Sequence, residues 1–314
     1  MSIIAARRLR GVYAPVVTPF HGNQETNIGQ FIAHCEWLVQ NGVGLAIFGT
    51  NSEANSLSVT ERIQLTEELL DAGVEAGSMM PGTGSSSITD AVTLTRHAVT
   101  NGAPGVLVLP PFFYKNVSDD GLFAYYSEII ERVGDSRLAL YLYHIPALSG
   151  APITLNLIER LLEAYPESIA GVKDSSGDWN NTKSMIDEFA KQGLSIFPAS
   201  EAFLSEALSI GGAGCISATA NVNPRNLADL FARALGADGK SLQERATQVR
   251  SVFQPLPMIA AMKHVIAAYS GREDWRNVRP PLTRMDSAAG ARLLDELQRI
   301  DFEMPGIAQS AVVA

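Results

Sequence analysis

The sequence predicts a (β/α)8 barrel, or TIM barrel, followed by a C-terminal helical extension. Eight short apolar segments, many of them rich in β-branched residues, recur through the first two-thirds of the 314-residue chain. Stretches with helical periodicity lie between them, so strands and helices alternate as they do in βα units. Eight such units close into a barrel. The predicted strands are Val12–Val17, Leu45–Phe48, Met79–Thr83, Val106–Leu109, Leu138–Tyr143, Ile169–Lys173, Ile196–Ala199 and Gly214–Ser217.

Helical periods and capping patterns place the helices between these strands. Apolar residues recur at helical spacing over Ile28–Val39, Ile63–Ala76 and Leu155–Ala164. The segment Ser58-Val59-Thr60-Glu61 has the form of a capping box and predicts a helix start. Glycines stand where helices are expected to end, at Gly42, Gly73, Gly102 and Gly193.

The strand signal disappears after residue 223. The remaining sequence shows helical periods broken by prolines. We therefore predict a barrel over residues 1–223 and a helical region over residues 224–314 that packs on it. The main rival is a two-domain doubly wound protein, which would carry a glycine-rich phosphate turn after its first strand. The first strand instead leads into Thr18-Pro19-Phe20, and neither the dinucleotide-binding nor the P-loop glycine pattern is present.

Composition and charge limit the possible partners. The formal net charge of −9 and the sequence pI of about 5.1 argue against a nucleic-acid surface, because phosphates are neutralised by clustered Lys and Arg. No stretch approaches the length of a membrane span, and none reads as a secretory signal. Cys35 and Cys215 have no CxxC partner, which fits a reducing cytoplasm. The five histidines have no ligand spacing, so we expect no metal.

Lys173 is the residue whose position most strongly indicates chemistry. It ends the apolar strand Ile169–Lys173 and precedes the polar turn Asp174-Ser175-Ser176-Gly177. Residues at the C-terminal ends of barrel strands face the pocket. A buried amine there can attack a ketone and form a Schiff base, because burial disfavours its charged form. The alternative is a strand-end lysine that pairs with Asp174 in a solvated loop.

Three other strand ends converge on the same face of the predicted barrel. Strand two ends in Gly49-Thr50-Asn51-Ser52-Glu53, whose hydroxyls, amide and backbone N–H groups suit a carboxylate, although an ordinary capped turn would look similar. Strand five ends at Tyr143, whose phenol could relay protons or could simply pack. Strand eight ends in Gly214-Cys215-Ile216-Ser217, where glycine permits close approach to a ligand. Together with Lys173 these ends describe a 2-oxo acid site.

Several of these segments resemble the motifs of the dihydrodipicolinate synthase/N-acetylneuraminate lyase family in sequence, order and spacing. They are Gly49–Glu53, Tyr143-His144-Ile145-Pro146 with the following Ala147–Gly150, and Gly171-Val172-Lys173-Asp174. The resemblance implies that Lys173 forms the imine and that Tyr143 shuttles protons. It also implies that Thr50 hydrogen-bonds that phenol, and that Thr50 and Asn51 hold the carboxylate of pyruvate.

Three departures from the family pattern bear on the substrate. Leu148 stands where dihydrodipicolinate synthases carry an arginine for a second carboxylate, so that activity is improbable. Asn51 replaces the usual threonine of the strand-two turn. Phe113 stands where the family places a tyrosine that reaches a neighbouring subunit, and Tyr114 could take over with a shifted backbone.

Further substrate contacts are expected at Ser200, Glu201, Ile216 and His144. Ser200 and Glu201 occupy positions that contact sugar hydroxyls in the neuraminate lyases, although a helix N-cap with an acidic first turn reads equally well. Ile216 lies at the end of strand eight. His144, where the family usually has Asn, is either a satisfied strand-end histidine or a substrate contact.

The expected function is that of a class I aldolase without a cofactor. It would reversibly cleave a 2-keto-3-deoxy sugar acid, or a related 4-hydroxy-2-oxo acid, into pyruvate and an aldehyde. A dehydratase or deaminase that uses the same imine is the alternative, and a pyruvate-binding regulator without catalysis is a third hypothesis. The family resemblance also implies a homotetramer.

Overall fold

The computed structural model describes residues 8–309 and divides them into two compact units. Unit 1 comprises residues 8–11 and Glu75–Ile216, and unit 2 comprises Val12–Val74 and residues 217–309. The strands are β1 (Gly11–Ala14), β2 (Gly44–Leu45), β3 (Val106–Val108), β4 (Leu140–His144), β5 (Ile169–Asp174), β6 (Ser195–Pro198) and β7 (Gly214–Ile216).

Unit 1 is built on a parallel sheet in the order β3-β4-β5-β6. Its apolar core is formed by the outward sides of these strands and the apolar faces of the helices that follow them, including Leu122, Ile158 and Ile186. A Cβ atom at Gly171 would lie 2.2 Å from the backbone oxygen of Ser195, so the glycine lets β5 and β6 approach closely. Its helices are α3 (Ile88–Thr100), α4 (Asp119–Val133), α5 (Pro146–Ser149), α6 (Leu155–Ala164), α7 (Trp179–Phe189) and α8 (Leu204–Ser209).

Unit 2 contains the parallel pair β1–β2, in which Tyr13 pairs with Gly44 and Ala14 with Leu45. The Asn221 amide holds the chain after β1, because it accepts from the Val17 N–H at 3.0 Å and donates to the Pro15 carbonyl at 3.1 Å. The helices of this unit are α1 (Ile28–Gln40), α2 (Val59–Asp71), α9 (Pro224–Arg233), α10 (Gly239–Phe253), α11 (Met258–Ser270) and α12 (Ser287–Arg299).

Several predicted elements differ from the observed ones in their bounds: β1 ends at Ala14 instead of Val17, β2 is Gly44–Leu45 instead of Leu45–Phe48, and α2 ends at Asp71 instead of Ala76. One predicted strand is not formed. Met79–Thr83 forms no strand of its own; a single parallel bridge joins Gly82 to Leu107, and Thr83 donates its N–H to the Leu107 carbonyl at 3.0 Å. Pro81 has no N–H to continue the ladder. Helix α2 begins at Val59, earlier than the predicted Ile63, because the Ser58 capping box forms as its sequence indicates.

Candidate active site

Lys173 and Tyr143 are neighbours on adjacent strands of unit 1. They pair in register across β4 and β5, and both side chains are buried, with Lys173 2% exposed and Tyr143 4% exposed. Lys173 Nζ lies over the Tyr143 ring, 4.1 Å from its centroid. The electron-rich face of an aromatic ring stabilises a cation at this distance. The structure thus brings together the amine and the phenol that the sequence predicted separately as site residues.

Asp174 is engaged on the other side of β5. Its Oδ2 accepts hydrogen bonds from the Thr182 hydroxyl at 2.6 Å and the Ser176 hydroxyl at 3.0 Å, and its Oδ1 accepts from the Ser176 N–H at 2.9 Å. Because successive side chains of a strand point to opposite faces, Lys173 points away from this cluster. The alternative of a solvated Lys173–Asp174 pair is wrong, since Asp174 is 2% exposed and bound to helix α7.

His144 lies on the same face as Asp174, away from Lys173. Its Nδ1 accepts the Ile153 N–H at 2.9 Å, so the neutral ring carries its proton on Nε2, which lies 3.9 Å from Asp174 Oδ1. Burial lowers the pKa of His144, and the nearby Asp174 carboxylate partly offsets that effect. Of the two interpretations left open by the sequence, this position favours the satisfied strand-end histidine.

Three predicted substrate contacts lie at the ends of β6 and β7: Ser200 and Glu201 follow β6, and Ile216 ends β7. Ser200 caps a helical turn over Glu201–Phe203, because its Oγ accepts the Ala202 N–H at 3.3 Å. Glu201 is fully buried, and Ile216 is the buried last residue of β7. Their predicted roles as substrate contacts stay predictions.

The loop after β3 presents two aromatic rings to solvent. Phe113 and Tyr114 are 74% and 61% exposed and pack edge to face with a centroid separation of 5.4 Å. The Lys115 ammonium donates to the carbonyls of Leu148 and Ser149 at 3.3 and 3.2 Å, which ties this loop to the end of α5. The Tyr114 ring is exposed in this chain, and its predicted substrate role stays a prediction.

Thr50 and Asn51 lie in unit 2 on a single 3₁₀ turn, Thr50–Ser52. The turn is fixed from within: the Gly49 N–H donates to the Ser52 hydroxyl at 3.2 Å, and the Thr18 hydroxyl donates to the Ser52 carbonyl at 2.7 Å. Thr50 and Asn51 are half-buried, whereas Ser52 is buried. The turn therefore offers the first two side chains and keeps the third as an internal support.

Glu53 ends this turn in an uncommon conformation and a buried ion pair. Its φ of 55° lies in the left-handed region, which few non-glycine residues adopt. Its Oε1 accepts from Lys263 Nζ at 2.5 Å, and its Oε2 accepts from the Arg279 N–H at 2.8 Å. Burial lowers the pKa of Lys263 to about 8, and the Glu53 carboxylate opposes that shift. Sequence reasoning missed Lys263, which no motif or strand end marks.

Sequence comparison decides the family of this chain. The sequence model of the dihydrodipicolinate synthetase family matches residues 8–300. The chain belongs to the dihydrodipicolinate synthetase family. Among its relatives, an uncharacterized DapA-like lyase of Chloroflexus aurantiacus is 32% identical over 295 residues, which cover 93% of this chain and 97% of that protein. A 4-hydroxy-tetrahydrodipicolinate synthase of Rhizobium meliloti is 30% identical over 300 residues, with coverages of 92% and 97%.

Solved structures of this family share the fold. Dihydrodipicolinate synthase from Agrobacterium tumefaciens superimposes with a TM-score of 0.85 at 30% identity, covering 92% of this chain and 99% of that one. YagE from Escherichia coli K12, solved in complex with pyruvate, gives a TM-score of 0.83 at 26% identity, with coverages of 94% and 99%. The predicted fold class, a (β/α)8 barrel with a C-terminal helical extension, is confirmed. The predicted boundary after residue 223 stays a prediction.

Within residues 8–309, no helix combines the length and apolar character that a membrane crossing needs. In the same part of the chain, no three His, Cys, Asp or Glu side chains come together in a way that could hold a metal ion.

Proposed function

We propose that this protein is a class I aldolase that acts through a Schiff base on Lys173. Its substrate would be a 2-keto-3-deoxy sugar acid or a related 4-hydroxy-2-oxo acid, and its products pyruvate and an aldehyde. The observation that supports this most directly is the buried Lys173 ammonium 4.1 Å from the centre of the Tyr143 ring, with Asp174 bound to other partners on the opposite face. Lysine is seldom buried to this extent, and a buried amine at the end of a barrel strand is a candidate for chemistry.

The first half of the proposed reaction joins substrate and enzyme. The unprotonated Lys173 amine attacks the C2 carbonyl, the Tyr143 phenol gives its proton to the departing oxygen, and loss of one water molecule leaves a protonated imine and a phenolate. The positive nitrogen withdraws electrons from C3 and so prepares the C3–C4 bond for cleavage. Thr50 and Asn51, the half-buried residues of the strand-two turn, are proposed to hold the carboxylate on C1.

The second half of the reaction breaks the carbon–carbon bond and frees pyruvate. The Tyr143 phenolate accepts the proton of the C4 hydroxyl, the electron pair of that O–H bond forms the aldehyde carbonyl, and the C3–C4 electron pair passes into the protonated imine to give an enamine. The phenol then returns a proton to C3. Water hydrolyses the resulting protonated imine, which releases pyruvate and restores the amine, and the phenolate takes up the proton that this step sets free.

Leu148 supports a substrate other than that of the named synthases. The relatives from Rhizobium meliloti and Agrobacterium tumefaciens are named as synthases of the dihydrodipicolinate type. The side chain at 148 is apolar and 60% exposed, and it offers no bidentate fork for a second carboxylate. A substrate with one carboxylate and several hydroxyls fits this chain better, and the buried Glu201 carboxylate is the proposed partner for such a hydroxyl.

A panel of 2-keto-3-deoxy sugar acids with product analysis tests the proposal. Free pyruvate with an aldehyde supports the aldolase. A 2-oxo product that retains every carbon supports the dehydratase or deaminase, which uses the same imine. Lys173→Ala should abolish either reaction, whereas Lys240→Ala, at an exposed lysine on α10, should leave it unchanged. Equal loss of turnover in both variants would contradict the assignment of Lys173.

A further inference from the structure

The ion pair between Lys263 and Glu53 lies in the core of unit 2. Both side chains are 0% exposed, and the two residues are 210 positions apart in the sequence. Lys263 Nζ also lies 4.6 Å from the centroid of the Phe20 ring, and the Arg279 guanidinium lies 4.6 Å from the same ring. Two cations, the Glu53 carboxylate and one aromatic ring therefore meet here, with the Lys263–Glu53 pair withdrawn from water, and the Glu61 carboxylate pairs with the same Arg279 guanidinium at 2.5 Å.

A buried pair of this kind is poorly explained by stability alone. Taking two charges out of water costs about as much as their attraction returns, and well-packed apolar residues often stabilise such a position equally well. The Arg279 charge adds to the cost, since it lowers the pKa of Lys263 in the same direction as burial does. The best-attested use of such pairs is to hold one conformation among several.

The conformation held here is that of the turn that carries Thr50 and Asn51. Glu53 ends the turn Thr50–Ser52 and, with its φ of 55°, begins the next one, Ala54–Ser56. Both of its carboxylate oxygens are bound, one by the Lys263 ammonium and the other by the Arg279 N–H at 2.8 Å. A strained residue persists only where its surroundings over-determine it. The Lys263 ammonium is the side-chain partner of this carboxylate, and together with the Arg279 N–H it fixes residue 53 and so the end of the turn.

We propose that Lys263 is a positioning residue for the carboxylate-binding turn. It acts through Glu53 and touches neither substrate nor reacting atoms. The inference rests on the proposed function, because the turn matters for binding only if Thr50 and Asn51 hold the pyruvate carboxylate. The ligand is therefore a 2-oxo acid, and we expect Lys263 to affect the affinity of the protein for the carboxylate of that acid.

Three variants separate positioning from stability. Lys263→Met and Glu53→Gln each leave one buried partner alone and are expected to destabilise the fold. The double variant E53Q/K263M removes both charges with side chains of similar volume, and its urea midpoint should recover toward the wild type. The measured quantity is the pyruvate concentration that gives half-maximal borohydride trapping on the protein.

The double variant is expected to need about tenfold more pyruvate than the wild type, because residue 53 loses its bond to Lys263 and keeps only the Arg279 N–H, which leaves the end of the turn less well positioned. A merely structural pair would give wild-type half-saturation once the fold is restored, and that result would overturn the inference. Deuterium exchange of the backbone amides in residues 49–56 supplies a readout that does not depend on chemistry: we expect faster exchange there and unchanged exchange in α2. Absence of trapping in the wild type would refute the proposed function instead, and unchanged exchange in residues 49–56 would refute the positioning role.

Discussion

Replacing Tyr143 with Phe removes one oxygen atom and retains the ring. The ring centroid lies 4.1 Å from Lys173 Nζ, and the side chain is 4% exposed, so the cation–π contact and the packing should both survive. The variant therefore separates two contributions of one side chain. The ring contacts the buried lysine, and the hydroxyl is the group proposed to transfer protons.

The magnitude of the loss follows from the role of the hydroxyl. A positioned acid or base contributes about 10²–10⁴ in rate, which corresponds to about 2.7–5.4 kcal/mol of activation free energy. The retained ring contact is worth about 0.5–2 kcal/mol, and its survival should keep Lys173 in place. We therefore expect a large kinetic effect with little change in imine formation.

Deuterium exchange into the methyl group of pyruvate, followed by proton NMR, measures proton transfer at C3 without knowledge of the aldehyde. Tyr143→Phe should slow this exchange by about 10²–10⁴ while borohydride still traps pyruvate on Lys173. Tyr126→Phe is the matched control, because its hydroxyl lies 3.4 Å from the Val108 carbonyl within the apolar core. Exchange at the wild-type rate in Tyr143→Phe would refute the reasoning.

Three further predictions concern the supports of the site. Thr182→Val removes the hydroxyl that donates to Asp174 at 2.6 Å, so urea unfolding should show a loss of about 1.5–3 kcal/mol in the free energy of unfolding. The control Thr95→Val breaks a neutral hydrogen bond and should cost about 0.5–1.5 kcal/mol. Equal losses in the two variants would contradict a charge-assisted bond to Asp174. Because the folded pKa of Lys263 is lowered from 10.5 to about 8, the unfolded chain binds more protons between these values. Stability should therefore rise with pH across that window, and this rise should be absent from the neutral double variant; parallel profiles would refute it. Gly171→Ala would place a methyl group 2.2 Å from a backbone oxygen of the next strand, so the thermal midpoint should fall, and an unchanged midpoint would show that the strands can separate freely.

The sequence predicted the barrel because strand and helix periods alternate regularly and the helix caps use local rules. It also predicted that Lys173 and Tyr143 lie on the same face of the barrel, and the structure pairs them in register across β4 and β5. The predicted strand Met79–Thr83 is only a single bridge in the structure, because Pro81 interrupts the ladder. The apolar character of the segment does not reveal this local effect.

Other features of the site depend on long-range packing. Strand alternation sends neighbouring side chains to opposite faces, so it could have indicated that Asp174 points away from Lys173 and bonds elsewhere, as it does to the Thr182 hydroxyl. The pairing of Glu53 with Lys263 joins residues 210 positions apart, and a lysine within the apolar helix α11 gives no sign of its partner. Such contacts are fixed by tertiary structure, so propensity and periodicity carry no information about them.

Borohydride reduction in the presence of pyruvate, followed by intact mass and peptide mapping, tests the central claim most directly. We expect one adduct per chain, with the mass of reduced pyruvate, on the peptide that contains Lys173, and no adduct in Lys173→Ala. A folded wild-type protein without an adduct, or an adduct on another lysine such as Lys263, would contradict the assignment of Lys173 as the imine-forming residue.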